Sequence, residues 1–375
     1  MLPWLLALAP LGCDDGASTS TGSGGTTPRP VDAEVSTSSP DAPSDGLSDG
    51  RDVTAPEADA TSDAAAGADA SVDAFARPDA APAPVLPLDH PVPAVCRGDL
   101  APGAKAVFFD GFPAGSEGIA AGADALYVST PRTGEVWRLA PDATAAVFAR
   151  VPNALGMAFL SDGRLAVADI GDSNSPGVAD GGVWLVDSAG VATPLARDIE
   201  SPNFVTVLPD DSLLVSDDFD TRIWHVTLDG QVKAAIEDVP SPNGMAFNGA
   251  HDRLLVASTF SAGGEITAFP LGADGLPDPT AAQVLFTNGA GLTQDGVALD
   301  GFDQLYVARN IQGKLARHRA DGSGEVVIVA EGLRTPASLA FGRAPGFDPC
   351  SLYVTELVGS RIWRVAVGAE GAPLP

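Results

Sequence analysis

The segment NGMAFNGAHDRLLVAS, residues 243–258, carries the pattern that predicts the fold. A short apolar segment follows a glycine, a polar turn comes next, and a second apolar segment ends in a small residue. Residues 265–269 (EITAF) and 283–289 (QVLFTNG) add two further segments of similar length. Short apolar segments separated by Gly, Asn and Asp are typical of β-strands joined by tight turns. This unit therefore predicts four consecutive antiparallel strands.

The same unit occurs six times after residue 104, and almost no segment there has helical periodicity. The copies begin at Glu117, Leu155, Asn203, Asn243, Asp295 and Ala337, at spacings of 38, 48, 40, 52 and 42 residues. Repeats of about 40 to 50 residues with four strands each are typical of β-propeller blades. The sequence therefore predicts an all-β fold, a six-bladed β-propeller, over residues 96–375.

The two ends of the repeat region predict how the ring of blades closes. The sixth copy has no fourth strand, because few residues follow its third strand, which ends near residue 368. The segment KAVFFDGF (residues 105–112) precedes the first copy and has the composition of the missing strand. We expect it to pair with the sixth blade, which leaves no exposed sheet edge at the junction.

Cys96 and Cys350 lie at the two ends of the repeat region, and ring closure would bring them close together. Disulfides are common in exported proteins, and a disulfide that closes a long loop restricts the unfolded chain strongly. We therefore predict a disulfide between Cys96 and Cys350. The alternative is two separate buried thiols.

Residues 1–13 have the pattern of a signal peptide. Their apolar run, LPWLLALAPLG, is shorter than the roughly 20 residues that a membrane-spanning helix needs. Cys13 follows Leu11 and Gly12, an arrangement that resembles a bacterial lipobox and predicts lipidation of Cys13. We expect an exported protein, anchored by lipid to a bacterial membrane on the periplasmic or cell-surface side. Secretion without an anchor and a cytosolic location are the alternatives.

Residues 14–95 are predicted to be a disordered linker. Ala, Asp, Ser, Thr, Pro and Gly dominate this segment, so it has too little apolar surface to offset the entropy of ordering the chain. Residues 14–90 alone carry 13 Asp and 2 Glu against 3 Arg. The full chain has 49 acidic and 21 basic residues, a formal charge of −28. This charge argues against nucleic acid as a partner and favours a cation as ligand.

The first residues of the six copies are expected to form a ring, because the innermost strands of a propeller converge on its axis. Four of these ring residues carry carboxylate or amide oxygens: Glu117, Asn203, Asn243 and Asp295. Oxygen ligands without thiol or imidazole suit Ca²⁺, and water or substrate would complete its about six to eight ligands. Other divalent cations are compatible with the same oxygens. In the alternative interpretation, these polar residues bond neighbouring turns and hold no metal.

At the ring residues the chain resembles a known family. The motifs are EG at Glu117, PNG at Asn243 and DG at Asp295. They are similar to those of the six-bladed propellers of the senescence marker protein, gluconolactonase and luciferin-regenerating enzyme family, to which diisopropylfluorophosphatase and paraoxonase are related. The resemblance covers residues 104–368. It implies one catalytic Ca²⁺ held by the four polar ring residues, hydrolysis of lactones or phosphotriesters, and a role for Asp295 as general base or nucleophile.

The second strand of each copy contains the motif LxV, for example LYV at residues 126–128. A second set of residues lies at the ends of these LxV strands, where the ring is expected to open. The candidates for the substrate pocket among them are Asp169, Asp217, Arg309 and Glu356. The longest loop that follows such a strand, residues 168–182, adds Asp172 and Asn174 as candidates. This loop is equally compatible with a solvated insertion, and Arg309 with an ion pair to Glu356.

These patterns together predict a calcium-dependent hydrolase of lactones or related esters and phosphotriesters. We expect a monomer that acts on a small molecule and contacts a membrane only through its lipid. The alternative from a different class is a non-catalytic binding propeller with NHL-type repeats, displayed at the cell surface. A binding module has no need of four oxygen ligands around one axis, so the ring discriminates between the two. A third interpretation is an enzyme that has kept calcium and lost turnover.

Overall fold

The computed structural model describes residues 86–96, 98–173, 175–289 and 291–375. All of them belong to one compact unit, residues 75–375. Their strands form six antiparallel sheets of four strands each. The six-bladed all-β propeller predicted from the sequence is therefore confirmed. Within the described ranges, no helix has the length and hydropathy that a membrane span requires.

The bounds of the elements follow the predicted repeats. The strand β1 (Lys105–Asp110) comes before the first blade. Blade one contains β2 (Ile119–Ala121), β3 (Leu126–Thr130), β4 (Glu135–Leu139) and β5 (Ala145–Arg150); blade two contains β6 (Ala154–Phe159), β7 (Leu165–Asp169), β8 (Gly181–Val186) and β9 (Ala192–Ile199). Blade three contains β10 (Pro202–Val207), β11 (Leu213–Asp217), β12 (Ile223–Val226) and β13 (Val232–Ile236); blade four contains β14 (Pro242–Phe247), β15 (Arg253–Ser258), β16 (Glu265–Pro270) and β17 (Gln283–Thr287).

Blade five contains β18 (Gln294–Leu299), β19 (Gln304–Arg309), β20 (Lys314–Arg319) and β21 (Val327–Glu331), and the last three strands are β22 (Pro336–Phe341), β23 (Ser351–Glu356) and β24 (Arg361–Ala366). Two 3₁₀ helices, Ala94–Cys96 and Pro279–Ala281, complete the regular structure of the described residues. The first strand of each blade is innermost, and the next strands follow in order outward.

Blade six is built from both ends of the repeat region. Its sheet has the order β22, β23, β24 and β1, so its outer strand comes from the start of the propeller. Within this pair, Lys105 lies opposite Val365 and Asp110 lies opposite Arg361. The predicted closure by residues 105–112 is therefore confirmed.

The second strands explain why the LxV segments are so uniformly apolar. All five residues of β3, β7 and β11 are buried, and so are all six of β19 and β23. A strand that packs against neighbouring blades on both faces has no solvent-exposed side. Its sequence is therefore a continuous apolar run and not an alternation of apolar and polar residues. The largest fully buried side chains are Tyr306 and Tyr353, in β19 and β23. The hydrophobic core therefore lies between neighbouring blades.

The segment before β1 is attached to blades five and six. Cys96 and Cys350 form a disulfide, with their Cα atoms 5.2 Å apart, which confirms the predicted pairing. Leu86 is buried in the core cluster of these blades. The side chain of His90 stacks on Phe302, with ring centroids 3.9 Å apart. The packed chain thus extends upstream of residue 96, into the segment predicted as linker. Residues 1–85, with the signal peptide and Cys13, lie outside the described residues.

The C-terminal segment contacts the turns between the first and second strands of blades five and six. Ala372 is buried and donates its backbone N–H to the carbonyl of Leu299 at 2.9 Å. Gly371 forms a β-bridge with Asp300, and the guanidinium of Arg343 donates to the carbonyl of Ala372. These turns follow the far ends of the innermost strands. The C-terminal segment therefore lies on the face opposite the ring residues.

Candidate functional site

In blades two to six, a break in strand pairing frees the ring residue from the regular ladder. In blade four, Pro242 lies opposite Ser258, but the next regular pair is Met245 with Val256. The ring residue Asn243 falls inside this irregular section, where an interrupted ladder bends the backbone and redirects a side chain. The same break occurs between Ala154 and Met157, Pro202 and Val205, Gln294 and Val297, and Pro336 and Leu339.

The glycine after a ring residue allows neighbouring blades to approach closely at the axis. A Cβ added to Gly244 would lie 2.4 Å from the carbonyl oxygen of Asp295. One added to Gly156 would lie 2.5 Å from the carbonyl oxygen of Asn203. Real Cβ atoms do not approach backbone oxygens so closely, so these positions need glycine. The repeated glycine of the motif is thus explained by contact between innermost strands.

Hydroxyl groups of second strands fix the same backbone. The Ser129 hydroxyl accepts a hydrogen bond from the Gly118 N–H at 2.7 Å and donates to the Leu155 carbonyl at 2.8 Å. The Thr355 hydroxyl donates to the Glu117 carbonyl at 2.5 Å, across the junction of blades six and one. These bonds link adjacent ring residues through protein groups alone.

All four predicted metal ligands have a buried oxygen without a hydrogen-bond partner among the described residues. The side chains of Glu117, Asn203, Asn243 and Asp295 are buried. Each of these four side chains has one buried oxygen without a partner among the described residues, namely Glu117 Oε2, Asn203 Oδ1, Asn243 Oδ1 and Asp295 Oδ1. A buried oxygen left without a partner destabilises the fold, so four of them in one register require an explanation. A cation that accepts oxygen ligands fits this arrangement. The two remaining ring residues, Leu155 and Ala337, are apolar and buried.

The carboxylates at the ring influence one another. Burial raises the pKa of Glu117 well above its ordinary value, and the charges of Asp295 and Asp218 raise it further. Burial and the charge of Asp218 raise the pKa of Asp295 to about 8, against a hydrogen bond from Asn310 that lowers it. Burial raises the pKa of Asp218 to about 7, against a hydrogen bond from Ser241. Raised pKa values are expected for buried carboxyl groups that lie near one another without a positive charge.

Two residues of this site, Asp218 and Asn310, were missed by the sequence analysis. The Asn310 side chain donates to Asp295 Oδ2 at 2.7 Å, which leaves only Oδ1 of that carboxylate without a partner. Asp218 accepts a hydrogen bond from the Ser241 hydroxyl at 2.8 Å. Both residues come directly after the end of a second strand, so the register of the repeat was the signal that could have found them. Among the described residues, His, Cys, Asp and Glu alone gather in no group of three that would hold a metal.

The residues at the ends of the second strands bond inside their own blades. Asp169 accepts the indole N–H of Trp184 at 2.9 Å, and Asp217 accepts that of Trp224 at the same distance. The Thr130 hydroxyl accepts the indole N–H of Trp137 at 3.3 Å. These bonds tie the third strand to the second. They account for the burial of Asp169 and Asp217, and contact of either with substrate stays a prediction.

The other pocket candidates are spread around the opening of the ring. Arg309 donates to Asn288 Oδ1 at 3.1 Å, and the considered ion pair between Arg309 and Glu356, both described residues, is absent. Glu356 lines a cavity of about 210 Å³ together with Arg334 and Arg361. The side chain of Asp172 accepts from Asn153 at 3.0 Å, and Asn174 lies outside the described residues. A common role of these candidates in binding substrate therefore stays a prediction.

Residues 115–357 match the family described as SMP-30/gluconolactonase/LRE-like region. The match spans more than half of the chain and includes every ring residue. The chain belongs to the SMP-30/gluconolactonase/LRE-like family. No curated protein matches the sequence.

Solved structures of this family have the same fold. A gluconolactonase from Xanthomonas campestris is 20% identical, with a TM-score of 0.57, over 72% of this chain and 89% of that one. The calcium-binding protein regucalcin from Agrobacterium tumefaciens is 21% identical, with a TM-score of 0.57, over 72% and 95% of the two chains. A luciferin-regenerating enzyme is 16% identical, with a TM-score of 0.59, over 72% and 99%. At these identities the likeness shows the fold.

Blade three departs from the motif repeated in this chain, since Phe204 and not a glycine follows its ring residue Asn203. Its backbone N–H donates to the Ser216 hydroxyl at 3.0 Å, as the Gly118 N–H does to Ser129. Its side chain packs against the core cluster between blades three and four. The substitution thus keeps the backbone bond that orients Asn203.

A substitution of Asp169 tests whether this carboxylate holds the blade or contacts substrate. Asp169→Ala leaves the Trp184 indole N–H and the Gly171 N–H without their acceptor. We expect it to lower the free energy of unfolding by about 1–3 kcal/mol, because buried donors lose their partner. Urea denaturation and calcium titration of the full chain provide the measurement.

The matched control for this prediction is Asp172→Ala, on the same loop, whose carboxylate is exposed and, among the described residues, accepts only from Asn153. We expect little change in stability for the control, and unchanged calcium affinity for both variants. Loss of hydrolysis by Asp169→Ala at unchanged stability would contradict the structural role and support the pocket assignment.

Proposed function

We propose that this protein is a calcium-dependent hydrolase of lactones or related esters and phosphotriesters. The observation that carries the proposal is the set of four buried ring oxygens without hydrogen-bond partners, on Glu117, Asn203, Asn243 and Asp295. Membership of a family that includes gluconolactonases supports the class of reaction. The calcium-binding regucalcin of the same fold supports the choice of metal.

The residues at the ring have different roles in metal binding, catalysis and positioning. A bound calcium ion would supply Lewis-acid polarisation of the carbonyl or phosphoryl oxygen of the substrate. Glu117, Asn203, Asn243 and Asp295 would hold it through their unpartnered oxygens. Asp295 acts as the general base or nucleophile, and the bond from Asn310 fixes the orientation of its carboxylate. Asn310 is therefore a positioning residue.

The proposal is tested by calcium titration of the full chain with calorimetry, followed by hydrolysis assays on lactones, aryl esters and phosphotriesters. We expect one calcium per chain, and hydrolysis that EDTA removes and added calcium restores. Absence of calcium binding would overturn the proposal and favour the non-catalytic NHL-type propeller. Calcium binding without turnover on all three substrate classes would leave a metal-binding protein that is not a hydrolase.

We further propose that the enzyme is exported as a monomer and anchored through a lipid on Cys13. The Cys96–Cys350 disulfide supports export, since such bonds persist in oxidising compartments. Labelling of cells with a tagged fatty acid checks the anchor, since the wild type should incorporate it and Cys13→Ser should not.

A further inference from the structure

The loops between second and third strands surround the entrance to the ring. In blade four, Ser258 at the end of the second strand lies opposite Pro242, the residue before Asn243. Gln294 and Arg309 form the corresponding pair in blade five, and Pro336 and Glu356 in blade six. The chain that leaves each second strand is therefore next to a ring residue. We call this end of the propeller the mouth.

One position of these loops is occupied by apolar residues in four consecutive blades. It is the second residue after the second strand, and its occupants from blade one to blade six are Arg132, Gly171, Phe219, Phe260, Ile311 and Val358. We call Phe219, Phe260, Ile311 and Val358 the apolar arc. Blades one and two lack an apolar side chain at this position, so the mouth has one apolar and one polar side.

A repeated hydrogen bond fixes the backbone of three of the four arc residues. The N–H of Phe260 donates to the Ser241 hydroxyl at 3.1 Å. In the next two blades, the N–H of Ile311 donates to the Thr293 hydroxyl, and that of Val358 to the Thr335 hydroxyl, both at 2.9 Å. Each hydroxyl belongs to the residue two positions before a ring residue. The same geometry in three blades indicates a built feature of the mouth.

The backbone at two of these hydroxyl residues is strained. Ser241 has φ of 46° and Thr335 has φ of 49°, in the left-handed region that non-glycine residues rarely adopt. Such conformations persist where the surrounding structure holds them and are concentrated at functional sites. The Ser241 hydroxyl also donates to Asp218, whose charge acts on Asp295. Ser241 thus connects the arc with the carboxylates of the candidate metal site.

The arc is accessible although it is fixed. The exposed fractions of Phe260, Ile311 and Val358 are 60%, 49% and 38%. The rings of Phe219 and Phe260 are nearly parallel, with centroids 6.3 Å apart and planes inclined by 14°. Exposed apolar side chains cost free energy in water, so a group of them beside a polar site indicates an apolar ligand.

We propose that the apolar arc binds an apolar substituent of the substrate while the ring holds the group that reacts. The preferred substrates are then lactones or esters with an aryl or alkyl substituent, rather than polyhydroxylated lactones. Sugar hydroxyls against these side chains would lose water without gaining hydrogen bonds. The inference rests on the proposed function and specifies its substrate class.

Binding of lactams tests the proposal without any turnover, because an amide resists the hydrolysis that a lactone undergoes. We compare 5-phenyl-2-pyrrolidinone with unsubstituted 2-pyrrolidinone on the calcium-loaded full chain, by calorimetry or ligand-observed NMR. The wild type should bind the phenyl compound at least about tenfold more tightly, as burial of an aromatic ring predicts. Phe260→Ala should remove most of this preference and leave the affinity for 2-pyrrolidinone unchanged.

The matched control is Phe302→Ala, which removes a phenylalanine that is 42% exposed on the opposite face. It should keep the full preference for the phenyl compound. In parallel, kcat/KM for a phenyl-substituted γ-lactone should exceed that for gluconolactone, and Phe260→Ala should lower that ratio. Absence of hydrolysis with an intact lactam preference would overturn the proposed function and leave the apolar arc supported as a ligand-binding surface.

Two results would overturn the assignment of the arc. The first is equal affinity of the wild type for the two lactams, and the second is a preference that Phe260→Ala does not change. Equal lactam affinities can be accompanied by Phe260-dependent binding to neutral phosphatidylcholine vesicles, or by Phe260-dependent self-association in sedimentation. In that case the arc docks on a lipid surface or on a second copy of the chain.

Discussion

In EDTA, Asp295→Asn should be more stable than the wild type, whereas in calcium the wild type should be the more stable protein. Without a cation, the Asp295 carboxylate is buried and faces the charge of Asp218, which together raise its pKa to about 8. One pKa unit corresponds to about 1.4 kcal/mol, so we expect the neutral amide to raise the free energy of unfolding in EDTA by about 1 kcal/mol or more. Urea denaturation at pH 8 provides the measurement.

Calcium should reverse this order. A ligand that binds only the folded state stabilises it by about 4 kcal/mol when its concentration is a thousand times the dissociation constant. The wild type should show this increment, and Asp295→Asn should show little of it. Loss of a direct ligand should weaken calcium binding more than the about 10- to 100-fold that is typical of residues behind the ligands. The rate of hydrolysis by Asp295→Asn should fall as calcium binding weakens.

The pH dependence in EDTA has a defined sign. A carboxyl group whose pKa is raised in the folded state stabilises the protein below its ordinary pKa, and this contribution is lost as pH rises through the raised value. For Asp295 the window runs from its ordinary value of 3.8 to about 8. The stability of the wild type relative to Asp295→Asn should therefore fall across this range in EDTA.

Asp300→Asn is the matched control, since Asp300 is also buried, with a pKa raised by burial, but lies on the opposite face of the propeller. Its carboxylate accepts hydrogen bonds from the Phe302 and Gln304 N–H groups and the Tyr306 hydroxyl. The control should keep the full calcium increment. An equal calcium increment for Asp295→Asn and the wild type would contradict the assignment of Asp295 to the metal.

The repeat explains why the fold and the ring could be predicted from the sequence. Residues in the same register of each blade share a distance from the axis, so Glu117, Asn203, Asn243 and Asp295 could be recognised as one set. The missing strand of the sixth copy likewise predicted its replacement by residues 105–112. Both inferences need only the order of the strands, which short apolar segments and turns indicate directly.

Other parts of the site depend on contacts that the register alone does not give. Asp217 and Asp218 are neighbours in sequence, but one accepts the indole N–H of Trp224 inside its blade and the other approaches the ring. What separates them is the turn after the second strand, where the Asp218 N–H donates to the Ser201 carbonyl at 3.0 Å. This bond joins segments of one blade that are distant in sequence.

Long-range contacts also explain why the packing of the segment upstream of residue 96 was not predicted from the sequence. Its Pro and Ala content is typical of a linker, and its contacts are with side chains more than two hundred residues away. Asp89 forms an ion pair with Arg319 at 2.5 Å, and the carbonyl of Pro87 accepts from Arg317 at 2.7 Å. A few long-range contacts of this kind leave no pattern in local composition.

Loss of the Cys96–Cys350 disulfide should be the largest single change in stability outside the ring. The two cysteines are 254 positions apart, and closing a loop of this length restricts the unfolded chain by about 5 kcal/mol in the chain-entropy treatment. We expect the double substitution to serine to lower the free energy of unfolding by about 3–5 kcal/mol. Urea denaturation of the full chain in calcium and in EDTA provides the measurement.

Reduction by dithiothreitol gives the control, since it should destabilise the wild type by a similar amount and leave the double serine variant unchanged. Calcium affinity should be the same in the wild type and the variant, because neither cysteine contacts the ring. The disulfide and the pairing of β1 with β24 join the same two parts of the chain, so each makes the other more favourable. A loss below about 1 kcal/mol would mean that this pairing closes the propeller without the covalent bond.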